Sequence, residues 1–328
     1  MKRRALLLGA LLMPTAARAK TTKQSGKKAA APPPPPARPQ PLKEAKSQLV
    51  AFNASPFPYR GAIPSTNKPF LDAKDGKRRG HTTSKGDVCW EDATYSDRRS
   101  LLFLPAGYNP QLPSLIVLYL HGQGATLERD VEGRQALPRQ VAESGQNVAL
   151  VAPQLAFDAA DSSAGNFWKP GHFATYIDEA AERLMRLYGD RRVGPHFNAA
   201  QVVIVAYSGG FVTAAYSLQV GGLGSRVRGV VLLDSLYGEM DKFSSWIINN
   251  RSAFFVSAYT QSTKRRDEEL ERTLREKGIP IVHELEGPLK PGTVAFLSTR
   301  DGITHRDYVT LAWTDHPIKD VLQRIARR

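Results

Sequence analysis

From about residue 98 onward, short runs of apolar residues alternate with longer stretches in which apolar positions recur every third or fourth residue. The apolar runs fall at residues 99–105 (RSLLFLP), 115–120 (LIVLYL), 147–152 (NVALVA), 201–206 (QVVIVA), 229–233 (GVVLL), 253–258 (AFFVSA) and 281–285 (IVHEL). Their apolar character is continuous rather than alternating, which is what a strand covered by helices on both faces requires. The periodic stretches predict helices over 127–144, 173–187, 211–220, 240–248, 267–277 and 318–327. Strand and helix take turns, so the pattern predicts an α/β fold: a mostly parallel central sheet flanked by helices on both faces. No break in the alternation marks a second domain within residues 49–328. Residues 49–97, with stretches such as FNASPFPYRG and NKPFLDAKDG, are rich in turn formers and predict an N-terminal edge meander with loops.

Ahead of the fold the pattern changes twice. Residues 1–19 (MKRRALLLGALLMPTAARA) have a basic start, a short apolar run broken by Pro14, and Ala17-Arg18-Ala19 before Lys20. This is the form of a signal peptide, too short in its apolar part to span a membrane, and it predicts a secreted or periplasmic protein with no transmembrane segment in the mature chain. Residues 20–48 are basic and proline-rich, without aromatic side chains. Such a segment buries too little apolar surface to offset its ordering entropy, so it reads as a disordered linker.

Charge and cysteine content narrow the function classes. Of the net charge of +14, residues 1–48 carry +10 and the remainder only +4. A near-balanced domain behind a basic tail argues against a nucleic-acid-binding surface. The tail itself reads either as a contact for anionic envelope polymers or lipid headgroups, or as a solubilising segment. Cys89 is the only cysteine, so no intramolecular disulfide can form. Neither CxxC nor HExxH occurs, and the chemistry below requires no metal and no cofactor.

In an open α/β sheet, ligands bind beyond the carboxyl ends of the strands. Three such places carry reactive or turn-forming groups. The run at 115–120 ends in His121-Gly122-Gln123-Gly124, a turn whose main-chain NH groups can point into a cavity and meet a developing oxyanion, or whose histidine is simply structural. The run at 201–206 ends in Ala206-Tyr207-Ser208-Gly209-Gly210. A serine on a tight strand-to-helix turn needs small residues two before and two after it, which Ala206 and Gly210 supply; the alternative is a serine that only caps the helix. Gly209, at the helix start, offers an NH aided by the helix dipole. Late in the chain, His305 lies where a base for the serine proton is needed, with His316 as its rival. An acid must orient that base. Asp234, directly after the run at 229–233, is the first candidate, because a carboxylate there is costly to bury unless something uses it. It could instead pair with Arg226 or Arg228, and Asp267 and Asp301 stand in reserve.

The order Ser208, Asp234, His305, with the HGQG turn upstream, resembles the α/β-hydrolase superfamily over residues 98–328, and looks like its secreted bacterial serine hydrolases of the esterase and lipase kind. Most members carry the acid after the next strand, and a minority, some lipases among them, carry it where Asp234 sits. The resemblance implies an oxyanion hole made by the backbone NH groups of Gln123 and Gly209. It also implies hydrolysis of an ester-like acyl bond through an acyl-enzyme.

Substrate preference is barely encoded. The segment 161–173 (DSSAGNFWKPGHF) follows a strand end, so Phe167 and Trp168, together with His121 and Tyr207, are candidate cleft residues, and His172 could join them. Arg129, Arg134 and Arg139 read as a solvated helix face, and any of them that faced the cleft would favour an acidic substrate. The expected partner is a small-molecule or cell-envelope substrate. Two other functions stay open: an amidase or peptidase acting on cell-wall peptides, and a non-catalytic envelope-binding protein.

Overall fold

A computed structural model describes residues 38–325. The predicted signal peptide and most of the predicted linker lie outside the described residues. Among the described residues, eight strands form the main sheet: β1 (Lys46–Ala51), β2 (Arg99–Leu104), β3 (Leu115–Leu120), β4 (Val148–Pro153), β5 (Gln201–Tyr207), β6 (Val227–Leu233), β7 (Phe254–Tyr259) and β8 (Val294–Ser298). Their order across the sheet is β1-β2-β4-β3-β5-β6-β7-β8. β2 runs antiparallel to both of its neighbours and every other pair is parallel. This is the α/β-hydrolase topology.

The continuous apolar runs form the central strands because both sheet faces are covered. Along β5, Val202, Ile204 and Ala206 pack into one core, while Val203, Val205 and Tyr207 pack into the other. Helices α2 (His172–Tyr188), α3 (Phe211–Gln219), α4 (Met240–Asn249) and α5 (Lys264–Glu276) close the first core; α1 (Leu137–Glu143) and α6 (Pro317–Arg324) close the second. Ile204 at the centre is fully buried, and truncating such a residue to alanine costs about 2–5 kcal/mol.

Three expectations change. The run at 281–285 is not a strand; only Val282 bridges to Ala295, and β8 is formed by VAFLS at Val294–Ser298. Val282 is 44% exposed, whereas Val294 through Leu297 are buried. The single helix predicted over 127–144 is two pieces. Leu127–Arg134 is a π-helical turn, Ala136 takes a left-handed conformation (φ 51°), and α1 begins at Leu137 with Pro138 in its first turn. Proline has no NH to give a helix interior, so Pro138 fits only at a helix start. Residues 46–48, assigned to the linker, lie in β1, whose whole length pairs with β2.

The turn-rich segment before β2 holds a separate three-stranded antiparallel sheet, Ala73–Asp75, Arg78–Thr82 and Val88–Trp90. No helix among the described residues is long and apolar enough to cross a membrane.

Candidate active site

Parallel register aligns the carboxyl ends of the central strands. Leu120 pairs with Ala206, Tyr207 with Leu233, and Leu233 with Ala258. The residues that follow, His121, Ser208, Asp234 and Thr260, therefore share one edge of the sheet.

Ser208 occupies the turn between β5 and α3 with φ 50°, a left-handed conformation that costs a non-glycine residue about 1–3 kcal/mol. Close backbone packing holds it there. A Cβ on Gly210 would stand 2.4 Å from the Leu120 carbonyl oxygen, and one on Gly122 would stand 2.7 Å from Ser208 Cβ. Both positions therefore require glycine, whereas Ala206 keeps its methyl in the core. The same tightness brings the HGQG turn against the serine turn: a Cβ on Gly209 would lie 3.3 Å from the Gln123 backbone nitrogen.

His305 sits on a short 3-10 turn, His305–Asp307, capped by mutual bonds between Thr304 and Asp307. Its Nε2 is 2.9 Å from Ser208 Oγ and its Nδ1 is 2.5 Å from Asp234 Oδ2. Asp234 is fully buried. Burial alone would raise its pKa, but hydrogen bonds with His305 and Thr260 outweigh it and hold the carboxyl below its usual value. Oδ1 accepts from the Thr260 NH (2.9 Å) and the Thr263 hydroxyl (3.0 Å), and Oδ2 also accepts from the Thr260 hydroxyl (2.8 Å).

The other candidates for these positions lie elsewhere. His316, at the start of α6, has its Nδ1 3.5 Å from Glu143 at the end of α1. Asp301 is exposed, and Asp267 is buried against Ser257. Arg226 pairs with Asp178, and Arg228 donates to the Ser252 carbonyl.

A cavity of about 760 Å³ opens over Ser208 and His305. Of the four predicted cleft residues only Trp168 lines it. His121 is buried: its Nδ1 is 2.8 Å from the Gly122 carbonyl, and its Nε2 accepts the Leu155 NH at 2.9 Å. Burial pushes its pKa down to about 4, so it is a neutral brace for the HGQG turn. Phe167 is fully buried, stacked edge-on against Phe173 and Tyr176, and His172 Nε2 contacts the Ala54 carbonyl. Tyr207 lies beneath His305, their rings stacked at 5.1 Å, and its hydroxyl donates to the His305 carbonyl at 2.9 Å. The three arginines bind elsewhere: Arg129 pairs with Asp130 and Asp158, Arg134 with Asp130 and the Arg306 carbonyl, and Arg139 with Glu143.

Several site residues escape the sequence reading. Tyr237, edge-on to His305 at 6.2 Å, follows Asp234 by three residues and could have been found from that position. Thr260 and Thr263 have no motif, and His81 comes from the small sheet. Among the described residues, no group of three or more His, Cys, Asp or Glu is placed to hold a metal ion.

No family model matches the sequence, and no curated protein matches it. Solved structures do. A feruloyl esterase module from Clostridium thermocellum, solved with sinapinate, is 16% identical over 82% of this chain and 96% of its own, with a TM-score of 0.46. An S-formylglutathione hydrolase from Agrobacterium tumefaciens is 11% identical over 77% and 98%, with a TM-score of 0.44. A thermostable esterase from Pseudomonas putida is 14% identical over 77% and 81%, with a TM-score of 0.42. These are likenesses of fold, and the chemistry follows from the geometry of the site itself.

Proposed function

We propose that this protein is a serine esterase. The observation that supports this is the continuous hydrogen-bonded line from Ser208 Oγ through the His305 ring to the buried Asp234 carboxylate. A lone serine hydroxyl is a weak nucleophile, and an imidazole on one side with a carboxylate beyond it is the arrangement that activates one.

In the proposed reaction His305 Nε2 takes the Ser208 proton as Oγ attacks the ester carbonyl. Asp234 fixes Nδ1 as the protonated nitrogen and stabilises the imidazolium. The NH groups of Gln123 and Gly209 hold the negative oxygen. His305 then protonates the departing alcohol, and a water activated by the same ring releases the acid and restores Ser208. Residues 1–19 would direct the domain out of the cytoplasm, and the basic residues ahead of β1 would contact anionic envelope material.

The test is turnover of short p-nitrophenyl esters beside the matching anilides. Ester hydrolysis without anilide hydrolysis, falling by about 10⁴-fold or more in Ser208→Ala, is the expected result. Hydrolysis that survives in Ser208→Ala, or anilides turned over as fast as esters, would overturn the assignment.

A further inference from the structure

The cavity over Ser208 is lined by two carboxylates, Asp161 and Glu239, and by no lysine or arginine. Glu239 is already answered: Lys242 Nζ stands 2.5 Å from it. Asp161 is not. Among the described residues no lysine or arginine lies within 4.0 Å of it, and its titratable neighbours are the Tyr95 hydroxyl, the Cys89 thiol and His81, whose Nε2 is 4.0 Å from Asp161 Oδ1.

The orientation of His81 is fixed by its other nitrogen. Nδ1 is 2.8 Å from the Phe70 carbonyl, which can only accept, so Nδ1 carries a hydrogen and donates it. The ring is further held by stacking on Phe70 at 4.3 Å. Asp72 Oδ1 lies 4.0 Å from the same Nδ1, and with the ring's one hydrogen on that nitrogen Nε2 is an acceptor. Asp161 is fixed as well, by the Tyr95 hydroxyl at 3.1 Å and the Ser163 hydroxyl at 3.0 Å.

Two acceptors, each on a side chain only 8% exposed, thus stand 4.0 Å apart on the wall of one cavity. They are too far apart to bond each other. A single nitrogen with two hydrogens can sit about 2.9 Å from both, the normal length of such bonds. A hydroxyl has one hydrogen and can satisfy only one of them, whereas an ammonium satisfies both and also meets the carboxylate charge.

The pair lies close to the chemistry. Ser162, next to Asp161 in the chain, accepts from the Gln123 side chain at 2.9 Å, and a Cβ on Gly209 would lie 2.5 Å from its hydroxyl oxygen. Asp161 is therefore one residue from the wall that faces the Gln123 and Gly209 amides.

We propose that His81 and Asp161 form a cation subsite within this cavity, and that the ester the protein hydrolyses carries a primary ammonium group. The assignment rests on the esterase reading of Ser208.

The experiment compares kcat/KM within matched pairs of esters, in which one member carries a terminal ammonium and the other is its N-acetylated counterpart. One series places the ammonium on the acyl side and the other on the alcohol side. The native protein is expected to favour the ammonium member by about 10-fold or more in at least one series, the order of one charge-assisted hydrogen bond. The ratio should fall to within about 2-fold in Asp161→Asn and fall part-way, by about 3-fold or more, in His81→Phe, where the carboxylate remains. Because it is taken within one protein, a variant's folded fraction cancels. A native ratio near one, or a ratio that persists in Asp161→Asn, overturns the proposal.

Calorimetric titration of pentylammonium against pentanol on folded Ser208→Ala separates this proposal from the esterase assignment, since it needs no turnover. Binding of the amine alone supports the subsite even if no ester is cleaved. Equal binding of both, or of neither, contradicts it.

Discussion

Asp234 and Thr260 are each the first residue after a strand, β6 and β7, and they are bonded to one another twice. The Thr260 NH reaches Asp234 Oδ1 at 2.9 Å and its hydroxyl reaches Oδ2 at 2.8 Å. Asp234 also takes a positive φ of 45°, so local strain and two bonds from the next strand together aim its carboxylate at His305. An acid carried on β6 is thereby held by the turn after β7. Asp234→Asn is expected to lower kcat by about 10⁴-fold, because an amide no longer fixes the imidazole tautomer. Thr260→Val keeps the NH and removes the hydroxyl, and should cost about 10-fold or more. Steady-state kinetics on a p-nitrophenyl ester check both, and equal losses for the two variants would contradict this division of roles.

Tyr207 supports His305 from beneath by a ring stack and a hydrogen bond to its carbonyl. Tyr207→Phe keeps the stack and removes the bond. The expected outcome is a fall in kcat of about 5-fold to 10-fold with KM little changed, since one neutral hydrogen bond contributes about 1 kcal/mol to the position of the base. An unchanged kcat, or a loss confined to KM, would remove Tyr207 from this role.

Asp267 is fully buried beneath the site, where the Ser257 hydroxyl donates to its Oδ1. Burial, the largest influence on it, outweighs the hydrogen bond from Ser257 and raises its pKa to about 7. In the unfolded chain the value returns to about 3.9, so the folded state binds this proton more tightly. The resulting stabilisation is complete below about pH 4, declines by about 1.4 kcal/mol per pH unit as pH rises toward about 7, and is lost above it. Asp267→Asn has no proton to lose. Thermal melts between about pH 5 and about pH 8 should show the native protein losing stability relative to the variant, and parallel curves would contradict the buried neutral carboxyl.

Much of this arrangement is legible in the residues themselves. The central strands are continuous apolar runs, and the serine turn is marked by small residues at Ala206 and Gly210, the second of which the Leu120 carbonyl requires. His305 and Asp234 follow from the rule that sites gather beyond strand ends. What escapes is whatever depends on distant packing. Phe167 and Trp168 are neighbours in one aromatic loop and both pack into the core, yet only Trp168 also lines the cavity, and no local pattern separates them. Tyr207 looks like a cleft residue because it adjoins Ser208, but the period of two along β5 turns it to the face where His305 rests. His81 comes from a turn-rich segment whose folding over the site no periodicity announces.

The central claim is that Ser208 is a nucleophile activated by His305. Intact-mass measurement after exposure to a fluorophosphonate tests it without any knowledge of the substrate. The native protein is predicted to gain one covalent adduct at Ser208, with none on Ser208→Ala and a rate about 10³-fold or more slower on His305→Ala. Folded native protein that gains no adduct, or an adduct that persists on Ser208→Ala, would contradict it.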